Sequence, residues 1–302
     1  MGDIWSIVRT FEAGVHVNTQ DVRHIGVVGC GLMGAGIVEV CARAGLRVTF
    51  AEGSADLIEA GHARIQRSLD AAVSKGKLDA SDRDAALGLI DAVEDVAGLA
   101  AADLVIEAAT EDPEAKRAIF ERLGATARDE VVLASNTSSI PISTLGEASG
   151  RRDRVVGMHF FNPVPVMGVI ELTPSAATSE ETLALVESFG SAVLGKTCVR
   201  SSDEAGFIVN RLLIPYLFDA IRLYERGFAT KEDIDTAIHL GLAHPLGPLR
   251  LSDLIGLDTV ASIGDVLHRA FGEPRYDAPA ILRSLVAEGK LGRKTGEGFY
   301  TY

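Results

Sequence analysis

The sequence predicts an α/β domain followed by an all-α domain, and three observations carry that prediction. Short apolar strand patterns alternate with helical patterns as far as about residue 200, which implies a mostly parallel sheet covered on both faces. The pattern changes near Ser201-Ser202-Asp203. From Gly206 onward no strand pattern returns until the last few residues. These features divide the chain into an N-terminal extension (1–22), an α/β domain (23–203) and a helical domain (204–302).

In the extension, Ile4, Trp5, Ile7, Val8 and Phe11 have the makings of a short helix docked on the body. Asp3, Arg9 and Glu12 interrupt it, and it lacks the basic start and long apolar core of a signal peptide. Val22 to Gly29 reads as a buried strand, Gly31 to Ala44 as a helix and Leu46 to Ala51 as the next strand. A helix follows from Ala55 to about Gly76, a strand from Leu104 to Ala108 and a helix from Pro113 to Leu123. Val131 to Ser135, Val155 to His159 and Val169 to Leu172 are further strands. Thr178 with Glu181 reads as a capping box that starts a helix running to about Gly190, and Val193 to Val199 closes the domain. In the helical domain, Phe207 to Arg226 is apolar on most sides, as a buried helix is, and Pro215 should kink it. Thr230 with Asp233 starts another helix that ends near Gly241, and segments 251–270 and 278–288 read as helical.

Composition narrows the functional classes. At 302 residues and 47% hydrophobic the chain can bury a sizeable core. A net charge of −13 argues against nucleic acid or an anionic membrane as partner. Cys30, Cys41 and Cys198 are an odd set without metal-ligand spacing, which predicts reduced thiols in a cytoplasmic protein and no metal site. No apolar run is long enough for a membrane span.

Gly29-Cys30-Gly31-Leu32-Met33-Gly34 is a G-x-G-x-x-G that follows a strand, opens a helix and precedes a second strand ending at Glu52. In that context it is a dinucleotide-binding signature and the domain is Rossmann-type. Gly29, Gly31, Leu32, Met33 and Gly34 are the candidate pyrophosphate residues, since the positive end of the helix faces the phosphates. Glu52 lies eighteen residues after Gly34, where a carboxylate bonds ribose hydroxyls and repels a 2′-phosphate, so NAD is favoured over NADP.

Among seven histidines, His159 stands out. It sits in Gly157-Met158-His159-Phe160-Phe161-Asn162-Pro163-Val164-Pro165 at a strand end, where open α/β sheets bind ligands. Glu171 follows twelve residues on and would fix the ring's tautomer and orientation. A base beside a hydride acceptor points to alcohol oxidation. His244, flanked by Pro245, Gly247 and Pro248, reads as a turn histidine. From the residues alone Ser138 reads as a turn residue and Asn210 as a polar interruption in a buried helix. Arg64, Arg67, Lys75 and Lys77 form a basic stretch in an acidic chain, readable as a solvated helix face or as a phosphate site.

Four segments resemble the L-3-hydroxyacyl-CoA dehydrogenase family: His159-Phe160-Phe161-Asn162-Pro163 with Glu171, Ser135-Asn136-Thr137-Ser138-Ser139, Gly206-Phe207-Ile208-Val209-Asn210-Arg211, and Gly292 to Tyr300. The resemblance spans about 23–302, and the stand-alone bacterial 3-hydroxybutyryl-CoA dehydrogenases look most alike. It implies a substrate cleft between the two domains and a homodimer formed through the helical one. His159 would be the general base and Glu171 its support, while Ser138 and Asn210 would bond the substrate oxygen or order the histidine. Asn136, Ser138, Glu111, Lys116 and Lys294 match cofactor-contacting positions, and Ser68, Lys75 and Ser138 match positions that contact CoA. Two departures stand out: Glu52 where the family often has aspartate, and Gly168 where many members carry lysine. The rival readings are a dehydrogenase of a free hydroxy or sugar acid, such as a gulonate-type enzyme, and a retired enzyme kept as an NAD-binding structural protein.

Overall fold

The structure, a computed structural model, describes residues 22–302. The extension assigned to 1–22, Val22 apart, therefore lies outside the described residues. The chain divides into two compact units, one running to residue 136 and resuming at 142–200, the other made of 137–141 and 201–302.

The first unit follows the order β1 (His24–Val28), α1 (Leu32–Arg43), β2 (Arg47–Ala51), α2 (Ala55–Ser74), α3 (Ala80–Leu87), β3 (Ile90–Val93), β4 (Leu104–Glu107) and α4 (Pro113–Thr126). It continues with β5 (Val132–Ser135), α5 (Ile142–Ser149), β6 (Val155–Phe160), β7 (Val169–Pro174), α6 (Glu180–Ser188) and β8 (Thr197–Arg200). One eight-stranded sheet runs β3-β2-β1-β4-β5-β6-β7-β8. The first six strands in that order are parallel, β7 is antiparallel to β6, and β8 runs with β7. The central strands are near-continuous apolar runs because both faces are covered: Ile25, Val27, Leu104, Val105, Ile106, Val132 and Leu133 have no exposed surface.

The register sets one end of this sheet apart. Ala51 pairs with Val28, Val28 with Glu107, Glu107 with Ser135, and Ser135 with Gly157. These residues form one row across five strands. The residues just beyond it, Glu52, Gly29, Ala108 and Asn136, therefore emerge side by side at the carboxyl edge, and His159 follows two positions after Gly157. This is the edge at which open α/β sheets bind ligands.

The second unit is helical: α7 (Val209–Glu225), α8 (Lys231–Gly241), α9 (Pro248–Ile255), α10 (Leu257–Phe271) and α11 (Ala280–Ala287). Its separate core gathers Ile214, Leu217, Phe218 and Ile221 with Val260, Leu267, Tyr276 and Leu282. The segment 137–141 belongs with it, and the Gly206 amide donates to the Ser138 carbonyl at 3.2 Å.

Several local expectations need correction. The capping residue of α6 is Ser179, whose hydroxyl accepts from the Thr182 amide at 3.1 Å. Thr178 instead bonds the Val155 carbonyl and the Ser175 amide. The helix expected over 251–270 is two helices, parted at Gly256, whose φ of +104° no β-carbon-bearing residue adopts readily. The polar helix α3 and the half-buried strand β3 show no strong apolar period in the sequence, and α5 is only eight residues long. Thr230 does cap α8, accepting from the Asp233 amide at 3.1 Å while its hydroxyl bonds the Asp233 carboxylate.

Candidate active site

The glycine turn is built by three different constraints. Gly29 has φ +85°, and a β-carbon there would lie 2.8 Å from the Ala109 α-carbon. A β-carbon on Gly34 would lie 1.9 Å from the Gly29 carbonyl oxygen, so helix and strand could not close. A β-carbon on Gly31 would meet nothing within 4 Å, so no neighbour in the chain demands glycine there. The space in front of Gly31 is what a close-approaching ligand needs. Helices α2, α4 and α6 are each capped by a side chain, Ser54, Asp112 and Ser179. Helix α1 has no side-chain cap and no acidic residue in its first turn. A helix start of this kind, with open space in front of Gly31, fits a dinucleotide pyrophosphate.

Glu52 closes this site from β2. Its Oε1 accepts from the Cys30 amide at 2.5 Å, and Arg64 Nη1 donates to the Cys30 carbonyl at 2.7 Å. The Cys30 thiol is pushed up to about 12 by burial and by the Glu52 carboxylate, with Arg64 working the other way. Arg64 thus turns toward the glycine turn, while Arg67, Ser68, Lys75 and Lys77 remain exposed. Ser68 and Lys75 lie seven residues apart across the end of α2, on one face and about 10 Å apart along the axis.

A network unread in the sequence organises the middle of the edge. Glu107, fully buried, binds the ammonium of buried Lys116 at 2.6 and 2.7 Å. The same carboxylate accepts from the Ala109 amide at 2.7 Å and the Ser135 hydroxyl at 2.6 Å. Glu111 stands 3.4 Å from the Lys116 ammonium. Lys116 is therefore a buried support of the β4–α4 loop rather than an exposed cation. The legible signal was a carboxylate ending an apolar strand with a lysine nine residues later. Asn136 Oδ1 accepts from the Phe160 amide at 2.8 Å, which fixes the amide's orientation and aims its NH₂ away from that strand.

His159 and Glu171 are directly opposite each other in the antiparallel pair β6–β7. His159 Nδ1 lies 2.8 Å from Glu171 Oε2, and Glu171 has no exposed surface. His159 is 8% exposed, and its ring packs on the Phe161 ring at 4.6 Å between centroids. The loop between the two strands holds a cis Asn162–Pro163 bond. It is tied down by Lys196, whose ammonium donates to the carbonyls of Val164 and Met167 at 2.7 and 2.6 Å. Burial and the nearby Arg43 push the Lys196 ammonium's pKa down. Sequence patterning gave no sign of Lys196.

In the second unit, Ser138 is half-buried in the 137–141 segment, and Asn210 is buried near the start of α7. The Lys294 ammonium bonds the Asp258 carboxylate at 2.5 and 2.6 Å. Among the described residues no cluster of metal-ligating side chains occurs, and no helix is long and apolar enough to cross a membrane.

Known proteins share this build. The family model for the 3-hydroxyacyl-CoA dehydrogenase NAD-binding domain matches residues 24–204, and that for the 3-hydroxyacyl-CoA dehydrogenase C-terminal domain matches 206–302. The 3-hydroxybutyryl-CoA dehydrogenase of Mycobacterium tuberculosis is 52% identical over 93% of this chain and 99% of its own length. The human mitochondrial hydroxyacyl-coenzyme A dehydrogenase is 44% identical over 93% and 91%. The crystal structure of (S)-3-hydroxybutyryl-CoA dehydrogenase from Ralstonia eutropha superposes with a TM-score of 0.87 at 42% identity, covering 93% of this chain and 99% of that one.

Proposed function

From the premise that this chain belongs to the 3-hydroxyacyl-CoA dehydrogenase family, we propose the reaction and the roles of its residues. The chain is an NAD-dependent oxidoreductase that converts (S)-3-hydroxyacyl-CoA and NAD⁺ to 3-ketoacyl-CoA, NADH and a proton, reversibly. The observation that carries the residue roles is the 2.8 Å bond between His159 Nδ1 and Glu171 Oε2.

A carboxylate can only accept, so Nδ1 carries the hydrogen and Nε2 carries the lone pair. Nε2 is then the atom that takes the proton of the substrate's 3-hydroxyl. Bound NAD supplies the hydride acceptor. As the hydroxyl proton arrives the ring becomes a cation, and the buried Glu171 carboxylate stabilises it. In the reverse direction the imidazolium returns the proton to the ketone oxygen. Oxidation thus needs neutral His159 and should gain as pH rises, whereas reduction needs the protonated ring and should gain as pH falls. Coincident optima in the two directions would contradict this assignment.

Ser138 and Asn210 are the proposed hydrogen-bonding groups for the substrate oxygen. Gly29, Gly31, Leu32, Met33, Gly34, Glu52, Glu111, Lys116, Asn136, Ser138 and Lys294 are the proposed cofactor residues. Of these, Lys116 works through Glu107 and Glu111. Ser68 and Lys75 are proposed to meet the CoA phosphates, and short acyl chains, 3-hydroxybutyryl-CoA first, are the proposed substrates. The helical unit exposes Leu212, Phe228 and Leu240, each more than two-thirds accessible, which supports pairing into a homodimer. Three unpaired thiols fit work in the reducing cytoplasm.

The test is NADH oxidation with acetoacetyl-CoA and longer 3-ketoacyl-CoAs beside free acetoacetate. Turnover of the thioesters with little or none of the free acid is expected. Equal use of the free acid would move the assignment to a free-acid dehydrogenase, and retained turnover in His159→Ala would reject the general base.

A further inference from the structure

One backbone residue in the glycine turn is held from both sides by opposite charges. The Cys30 amide donates to the Glu52 carboxylate at 2.5 Å, and the Cys30 carbonyl accepts from the Arg64 guanidinium at 2.7 Å. Glu52 comes from the end of β2 and Arg64 from the middle of α2. Both act on the same buried sulfur, raising and lowering its proton affinity respectively. The Arg64 bond to Cys30 is to a neutral carbonyl and uses one of the five N–H groups a guanidinium carries.

We propose that Arg64 is a second selectivity residue of the cofactor site: the Glu52 charge excludes a 2′-phosphorylated dinucleotide, and Arg64 is the group that binds that phosphate once the charge is removed. This rests on the reading that the glycine turn holds NAD. A carboxylate at the end of β2 bonds the adenosine ribose hydroxyls and repels a phosphate dianion placed on one of them. A planar guanidinium has the opposite preference, since its fork matches phosphate oxygens. The bond to Cys30 holds the Arg64 head beside the turn in advance, so little side-chain freedom is lost when an anion arrives. Discrimination against the phosphorylated cofactor is then maintained by one charge over a site already equipped to accept it.

Glu52→Gln is the informative substitution because the amide oxygen can still accept from the Cys30 N–H while the charge is gone. NADH and NADPH are titrated by their own fluorescence, without acyl-CoA, into wild type, E52Q, R64M and E52Q/R64M. The readout is the ratio of the two dissociation constants, which cancels general damage to the turn. E52Q is expected to tighten NADPH by about tenfold or more, the scale of one charge-assisted hydrogen bond. E52Q/R64M is expected to lose that gain, read in the ratio of the two dissociation constants, and the gain should shrink with added salt. No gain in E52Q, or an equal gain in E52Q/R64M, overturns the proposal while leaving the NAD site standing. Wild type that fails to bind NADH would remove the cofactor reading and this inference with it.

Discussion

Glu171 is proposed to act only through His159, and Glu171→Gln isolates that role. The glutamine carbonyl can still accept from Nδ1–H across the 2.8 Å gap, so the tautomer and ring orientation persist. What disappears is a negative charge in a position with no solvent exposure. A hydrogen bond to a charged partner contributes about 1.5–3 kcal/mol. The partner becomes charged only as the proton moves, so the loss falls on the transition state. At about 1.4 kcal/mol per factor of ten, kcat should drop roughly tenfold to 150-fold. NADH affinity and Tm should stay near wild type, because the glycine turn is untouched and the side chain is isosteric. His159→Ala should lose on the order of 10²–10⁴ in kcat. The decisive assay is (S)-3-hydroxybutyryl-CoA oxidation by the double variant H159A/E171Q. It should be no slower than H159A alone, since a support without its base has nothing to support. If E171Q slows H159A by the same factor as it slows wild type, Glu171 acts independently and the reasoning fails.

Other expectations follow from the same geometry. Gly31→Ala should leave Tm nearly unchanged, because its β-carbon meets nothing within 4 Å, yet weaken NADH binding by about tenfold or more; unchanged binding would place the pyrophosphate elsewhere. Gly34→Ala should instead destabilise the fold by about 1–3 kcal/mol or more, read in urea, because its β-carbon would sit 1.9 Å from the Gly29 carbonyl oxygen. Lys116→Met should cost about 3–5 kcal/mol by stranding the buried Glu107 carboxylate, and Glu107→Gln in the same chain should restore part of that loss. The Cys41 thiol is pushed up from its ordinary 9.0 to about 12 by burial. The unfolded chain ionises this thiol above about pH 9 while the folded one keeps its proton. The contribution is therefore complete below that pH and is lost as pH rises toward 12, at about 1.4 kcal/mol per pH unit. Urea titrations at pH 8 and 10.5 should show a shallower alkaline loss in Cys41→Ala than in wild type; equal slopes would mean the thiol ionises in the folded state.

Legibility in the sequence followed chemical periodicity. The strands that came through were those whose apolar runs are buried on both faces, such as Leu104–Glu107 and Val132–Ser135. Strand β3, buried only in part, and helix α3, mostly solvated, carry no comparable pattern. The turn glycines were readable because conformation and close approach leave few other choices at Gly29 and Gly34. Arg64 was legible as a charge and not as a direction. A basic residue on an amphipathic helix looks the same whether its head faces solvent or reaches a carbonyl in a distant turn. Glu107 and Lys196 were silent for a related reason, and Lys116 was legible only through the family resemblance, since charged residues are solvated unless tertiary packing buries them.

The class of fold, the dinucleotide turn with Glu52, and an imidazole and a carboxylate twelve residues apart can all be read along the chain. These depend on local periods and on residue chemistry, which a linear string carries. Long-range packing alone sets β7 antiparallel to β6, and that single reversal seats Glu171 opposite His159. Such packing also decided that Lys116 and Lys196 are buried supports and that Arg64 holds the Cys30 carbonyl. Strand direction, register and the burial of a charge are set by the packing of segments far apart in the chain, and no local pattern encodes them.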